Sequence, residues 1–340
     1  DVYKRQMQYL DDAIADLQKE DLIDPGAQDL LYQGDAEKWL KLAYGLKARY
    51  TMHLLKRSAN KDADMEKVLE YVDNSFESAE EQAAFDVYDA NNINPLYGFF
   101  VARAGLGASE SMRSKLAEYN DPRLSRAFIT KQGASGKEQA PGTADNAVYA
   151  PNGSPEQGTS KYGTSLFMYS ISAPTLLLSY HELKFLEAEA LCRLGRDAKS
   201  ALKDAVVAGL LNAENSFSVS RKELGKTLIN PASSITDTEA ESYFDNTIEA
   251  KYTAEPLKTT MIQKYFALWG ASGEATESYN DVRRMKGLGE NFIELKNPNS
   301  FPLRCPYGNS DTTTNAEVKA AYGNGQYVYS ENVWWAGGSR

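Results

Sequence analysis

Asn91, Asn92 and Asn94 stand just before Pro95, and Tyr97 follows two residues later. An amide side chain both donates and accepts, so it can read hydroxyls and backbone groups, while a tyrosine ring offers a flat face to a sugar ring. That chemistry recognises a ligand without breaking bonds. The same residue types also make turns, and the rival reading is a turn that delivers Leu96 and Phe99 to the core. Tyr149 and Tyr162 are the only aromatics in the run from Lys131 to Tyr162, which is largely Gly, Ser, Pro, Ala and Thr. Such a run is too long for an ordinary connection and marks an excursion from the main body. Asn92, Asn94, Tyr97, Tyr149 and Tyr162 are therefore the candidate ligand-binding residues.

Bond-making chemistry finds little support. The only histidines are His53 and His181, too few for most histidine metal sites or a catalytic triad. No nucleophile–base pair, metal-ligand spacing or phosphate loop is present, so no catalytic residue, metal or cofactor is expected. His53 sits on an amphipathic pattern and reads as structural. Asp281, Arg283 and Arg284 have the charges to hold an acidic ligand. Asp281 and Arg284 are three apart, on one helical face, and read instead as part of an internal ion-pair network.

Those residues need a frame. The chain has 340 residues, enough to bury a large core, and a formal net charge of −10. That balance argues against nucleic acid as a partner, because phosphates are met by clustered Lys and Arg. No apolar run reaches the roughly 18 residues of a membrane span. The 21 tyrosines suit either helix seams or a recognition surface. Cys192 falls inside a helix pattern far from Cys305, so a buried free thiol is expected. The first six residues, DVYKRQ, match one reading frame of a transposon adapter used for sequencing libraries. Residues 1–6 are thus expected to be a scar, with the native start upstream; an ordinary helix start is the other reading.

The frame is organised around Pro174 to Leu211. Leu183, Leu186, Ala190 and Leu194 recur at helical steps, Gly195 suits a helix end, and Asp197 can cap the next helix. Ala201, Ala205 and Ala208 then give a small-residue stripe that lets two helices approach, as in a tetratricopeptide hairpin. Upstream, Met7, Leu10, Ile14 and Leu17 follow the helical period and give a first helix that ends near Glu20. Another, capped by Asp35, follows Trp39, Leu42, Ala43, Leu46, Tyr50 and Leu54, with Lys and Arg outward. Further helices are expected over 62–75 and 109–119, the last ending at Asn120-Asp121-Pro122-Arg123. Beyond a polar stretch, 212–234, Asp237 caps a helix through Ile248, and Leu257–Leu268 forms another. The prediction is an all-α, tetratricopeptide-like superhelix of about four pairs in a single domain over 1–340, with 131–162 a long loop excursion. Trp269, Trp334 and Trp335 are expected to be buried.

The chain resembles the SusD/RagB family of outer-membrane nutrient-binding lipoproteins of Bacteroidetes-type bacteria. The residues that carry the resemblance span nearly the whole chain. They are Gly34-Asp35 with Trp39, Asn120-Asp121-Pro122-Arg123-Leu124, the run Glu182 to Ala190, and Gln263-Lys264. They continue through Tyr279-Asn280-Asp281-Val282-Arg283-Arg284, Phe301-Pro302-Leu303-Arg304, Pro306-Tyr307-Gly308, Asn315 and Trp334-Trp335. Their order, not any one of them, makes the match specific. The family's lipid-bearing Cys and first helices are missing from this sequence. The resemblance implies a non-enzymatic, cell-surface protein, lipid-anchored to the outer membrane. It would capture an oligosaccharide or peptide and deliver it to a SusC-like TonB-dependent transporter, with no cofactor. Two other readings compete. One is a tetratricopeptide-type scaffold binding peptides; the other is a glycan-cleaving enzyme, which would need two carboxylates at fixed separation.

Overall fold

Helix after helix starts on a polar side chain that takes up an amide the helix leaves unpaired. The computed structural model describes residues 2–20, 23–103, 106–130, 147–153, 162–270, 273–297 and 300–338. After α1 (Val2–Leu17), Asp35 accepts from the Lys38 amide and opens α2 (Ala36–His53). Asn60 does the same for α3 (Lys61–Asp73). Strand β1 (Ala83–Phe85) precedes α4 (Pro95–Arg103), and Ser109 caps α5 (Glu110–Glu118). Two antiparallel pairs follow: β2 (Phe128–Ile129) with β3 (Thr164–Ser165), and β1 with β4 (Thr175–Leu178). Ser179 caps α6 (Tyr180–Arg193), and Gly195, at φ +69°, turns the chain toward α7 (Lys199–Leu224). Next, α8 (Asp237–Tyr243) runs through a π turn at Phe244–Ile248 into α9 (Glu249–Ala254). Then come α10 (Pro256–Ala267), α11 (Ala275–Leu288), α12 (Asn309–Thr314) and α13 (Ala316–Tyr322).

Packing follows chain order: α1 on α2, α2 on α3, α3 on α6, α6 on α7, and α10 on both α6 and α7. This is the helical-pair stack that the sequence predicts. At its centre α6 is apolar on two sides. Leu183, Leu186 and Ala190 join Met52, Leu55, Met65 and Val68 in one core. Phe185 and Ala188 join Leu202, Ala205, Phe244 and Phe266 in the other. Each large side chain buried this way contributes about 1.5–3 kcal/mol. At the α7–α10 crossing only glycine fits at 209, because a Cβ there would lie 2.9 Å from that of Ala267.

Several expectations need correcting. The polar stretch does not separate from the hairpin: residues 212–224 continue α7, with Ala213, Phe217 and Ser220 extending its buried face at helical spacing. Between Phe85 and Phe100 the chain enters α4 at Pro95, and Phe100, not Phe99, is the core residue. Thr236 rather than Asp237 caps α8, accepting from the Glu239 amide. Trp334 is exposed, while Trp269 and Trp335 are half-buried and none is enclosed. Cys192 is a free thiol but only half-buried. Most of the 131–162 excursion lies outside the described residues, which include only 147–153 and Tyr162 from it.

The outer face of α2 is not uniformly basic, because Lys47 and Arg49 are buried. Arg49 belongs to a charged seam between α2, α6, α10 and α11. Its Nε donates to Glu182 Oε1 at 2.9 Å, and a second nitrogen lies 3.4 Å from Glu274 Oε1. Further along, Arg284 donates to Glu189 at 2.8 Å and to Asp281 at 2.7 Å, and Lys264 pairs with Asp281 at 2.8 Å. The Asp281–Arg284 pairing read from the sequence is therefore internal. Burial opposes charge on Glu182, Glu189 and Asp281. The facing cations win, Arg49 at Glu182, Arg284 at Glu189 and Lys264 at Asp281, and hold each carboxylate at about 2. His53, on α2 with Arg49, lies 2.8 Å from Glu277 of α11.

Candidate ligand-binding surface

The five residues singled out by sequence fall into two groups. Asn92, Asn94 and Tyr97 gather at the start of α4. The Asn94 side chain is 2% exposed and works as a cap: its oxygen accepts from the Leu96 amide at 2.8 Å, and its nitrogen donates to Ala173 O at 2.8 Å. Asn92 is exposed, and its side chain donates to Val87 O at 3.0 Å. Tyr97 is half-buried. Burial, with Glu223 of α7 beside its hydroxyl, pushes its pKa up.

The second group sits beside α5. The half-buried Tyr149 meets Phe128 edge-on at 5.2 Å, with the Arg113 guanidinium 5.5 Å over its ring. Tyr162 is 4% exposed within the core, and its neighbour Gly163 donates to Val148 O at 2.8 Å. That backbone pairing brings Tyr149 and Tyr162 side by side, apart from the α4 group.

A broad concave feature lies next to the second group. A cleft of about 780 Å³ opens between α5, the α9–α10 run and the segment 292–296. Pro151 and Asn152, two and three residues past Tyr149, complete its rim. α5 presents Ser111, Lys115 and Glu118 at steps of four and three, one polar face beside the buried Met112 and Leu116. The α9–α10 wall presents Lys251, Glu255, Lys258 and Ile262. Tyr119, Phe266 and Phe292 supply rings, with Tyr119 edge-on to Phe266 at 5.4 Å. The Lys251 ammonium stands 4.5 Å over the Tyr119 ring. Burial, helped by Glu118 and Glu255, pushes the Tyr119 hydroxyl up to about 12, so it stays a neutral donor. Rings amid hydroxyl, amide and charged groups can stack on and hydrogen-bond a polyhydroxylated ligand.

None of the five sequence candidates lines this cleft. The one signal for it in the sequence was the polar stripe of α5, which by itself also suits a solvated helix face. A second, smaller groove of about 350 Å³ runs along α7, with Gln82, Tyr180, Asn212 and Asn215 among its walls. Among the described residues no cluster of His, Cys, Asp and Glu could hold a metal ion, and no helix is long and apolar enough to cross a membrane.

Known proteins match this chain over its length. Residues 1–307 match the model of a SusD-like family described as starch-binding, associating with the outer membrane. A crystal structure of a SusD/RagB family protein from Bacteroides thetaiotaomicron is 67% identical, with a TM-score of 0.93, over 98% of this chain and 72% of that one. A SusD homologue from Bacteroides fragilis shares the fold at 20% identity and TM-score 0.72, over 98% of this chain and 74% of that one. A chitin-binding protein does so at 19% identity and TM-score 0.68, over 98% and 72%. No curated protein matches the chain.

Proposed function

The chain belongs to the SusD/RagB family, a family of outer-membrane-associated nutrient-binding proteins, and from that membership we propose that it captures an oligosaccharide at the cell surface and passes it to a SusC-like TonB-dependent transporter. It does so without chemistry and is held at the membrane by a lipid anchor. The helical stack serves as the frame, and the ligand sits in the cleft between α5 and α10. The observation that carries this reading is the cleft itself: about 780 Å³, with aromatic rings among hydroxyl, amide and charged side chains. Its rim includes Pro151 and Asn152 of the long excursion. Tyr149 and, from the α4 edge, Asn92 and Tyr97 are candidate secondary contacts; the Asn94 side chain is committed to its cap and Tyr162 to the core.

The test is a glycan panel read by calorimetry, with Phe292→Ala as the probe of the cleft. Binding of at least one glycan, weakened by the substitution while the melting temperature holds, supports the reading. Binding of peptides and no glycan would overturn it in favour of a peptide scaffold, for which the groove along α7 is the matching feature. Release of reducing sugar would revive the hydrolase.

A further inference from the structure

The charges lining the cleft balance in number, four lysines against four glutamates, but they do not all pair as those of the buried seam do. Three of its four carboxylates are matched: Glu110 to Arg113 at 3.7 Å, Glu255 to Lys258 at 2.8 Å, and Glu294 to Lys296 at 2.5 Å. Glu118 alone has no ion pair among the described residues. Against it stand Lys115 and Lys251, neither of which has a carboxylate within ion-pair distance among the described residues. The Lys251 ammonium rests over the Tyr119 ring at 4.5 Å. Lys115 donates to Ser111 Oγ at 2.6 Å, which uses one of its three hydrogens. It is half-buried, and burial together with Lys296 nearby holds its pKa below the usual lysine value. A partly dehydrated ammonium beside a second one, with donors to spare, is unstable with respect to an arriving anion.

Resting on the reading that the cleft holds a glycan, we propose that the glycan carries an anionic substituent, and that Lys115, with Lys296 and Lys251 flanking it, is the group that meets it. A uronate carboxylate and a sulfate ester share this chemistry. Either would accept from Lys115 Nζ and supply the counter-charge that this ammonium lacks among the described residues. The same contact accounts for selectivity: a neutral sugar leaves the dehydrated ammonium unpaired.

The test uses uronate oligosaccharides (galacturonate, glucuronate and mannuronate types), each beside its carboxyl-reduced form, and a sulfated neutral oligosaccharide. At least one uronate should bind about 10-fold more tightly than its reduced form. That margin should shrink between about 50 and about 500 mM salt, and again as alkaline pH removes the Lys115 proton. The groups facing that proton are Lys296, Glu294 and Glu118, and all but Glu118 are held in the pairs described above. Lys115→Met should abolish the margin with the melting temperature unchanged, and Glu118→Gln should widen it. Binding of the sulfated sugar alone, lost in Lys115→Met, would uphold the lysine site and assign sulfate as its ligand. Equal binding of acidic and reduced forms would overturn the proposal and leave the glycan reading standing. Binding of none, with Phe292→Ala without effect on any ligand, would overturn both.

Discussion

The buried seam and the open cleft use the same residue types to opposite ends. Around Arg49, Glu182, Glu189, Lys264, Asp281 and Arg284, each charge meets an opposite one, and these side chains are almost wholly enclosed. An unpaired ion there would carry a desolvation cost of several kcal/mol, so burial enforces pairing. In the cleft, water can stand in for a missing partner, and Lys115 and Lys251 can remain unmatched. The seam pairs its charges completely, while the cleft, among the described residues, leaves Lys115, Lys251 and Glu118 outside its pairs.

The sharpest way to break that contrast is to remove one cation from each region. Arg284→Met leaves Glu189 and Asp281 facing each other in the interior, and should cost about 3–5 kcal/mol in denaturant unfolding. Lys115→Met should cost no more than about 0.5 kcal/mol. Similar losses at the two sites would erase the distinction.

Acid titration separates the regions next. Glu189 carries a folded-state pKa of about 2 against a usual value of 4.5, because Arg284 and Arg193 outweigh its burial. A carboxylate depressed in this way contributes stability that is full above its unfolded value and is lost as pH falls through the folded one. The wild type should therefore lose stability between about pH 5 and pH 2. Glu189→Gln should lack about 2–3 kcal/mol of that dependence. Parallel pH profiles for the two proteins would remove Glu189 from the seam.

How much of this was legible in the sequence follows the range of the interactions. The hairpin was readable because Leu183, Leu186 and Ala190 lie on one turn-to-turn face, and Gly195 supplies the positive φ that ends it. The second apolar side of α6, through Phe185 and Ala188, was missed because a helix buried all round has no single stripe. The extension of α7 past Leu211 was missed because Asn212, Glu214 and Asn215 mask the buried Ala213 and Phe217. Lys47 and Arg49 were placed outside because charge ordinarily means exposure, and only the facing Asp11 of α1 and Glu182 of α6, respectively, reverse that. The cleft was illegible for the same reason. Its walls come from α5, α10 and 292–296, which nothing local joins. The excursion was flagged by its length and composition, and Pro151 and Asn152 do reach the rim.

Within the frame, a smaller effect is expected where two helices meet without charge. Ala205 is fully buried in the same core as Leu202, Phe244 and Phe266. Ala205→Phe should overpack it and destabilise by about 1–3 kcal/mol, read by thermal unfolding. Glycan affinity at temperatures below the transition should be unaffected, since the residue lines no part of the cleft.

The smallest expected effect tests the boundary between the two regions. Tyr97 is half-buried on α4, with its hydroxyl on Glu223 of α7, so its ring belongs partly to the frame and partly to the surface. Removing only the hydroxyl, as in Tyr97→Phe, gives up one hydrogen bond at a wet edge, about 0.5–1 kcal/mol. Tyr97→Ala also removes the ring. If that face stacks on a distal sugar of a long ligand, Tyr97→Ala should weaken a long oligosaccharide several-fold while a short one confined to the cleft binds as before. The melting temperature should fall by no more than the hydroxyl change produces. A larger fall, with both ligands binding normally, would assign the ring to the α4–α7 seam and leave the cleft as the whole of the binding surface.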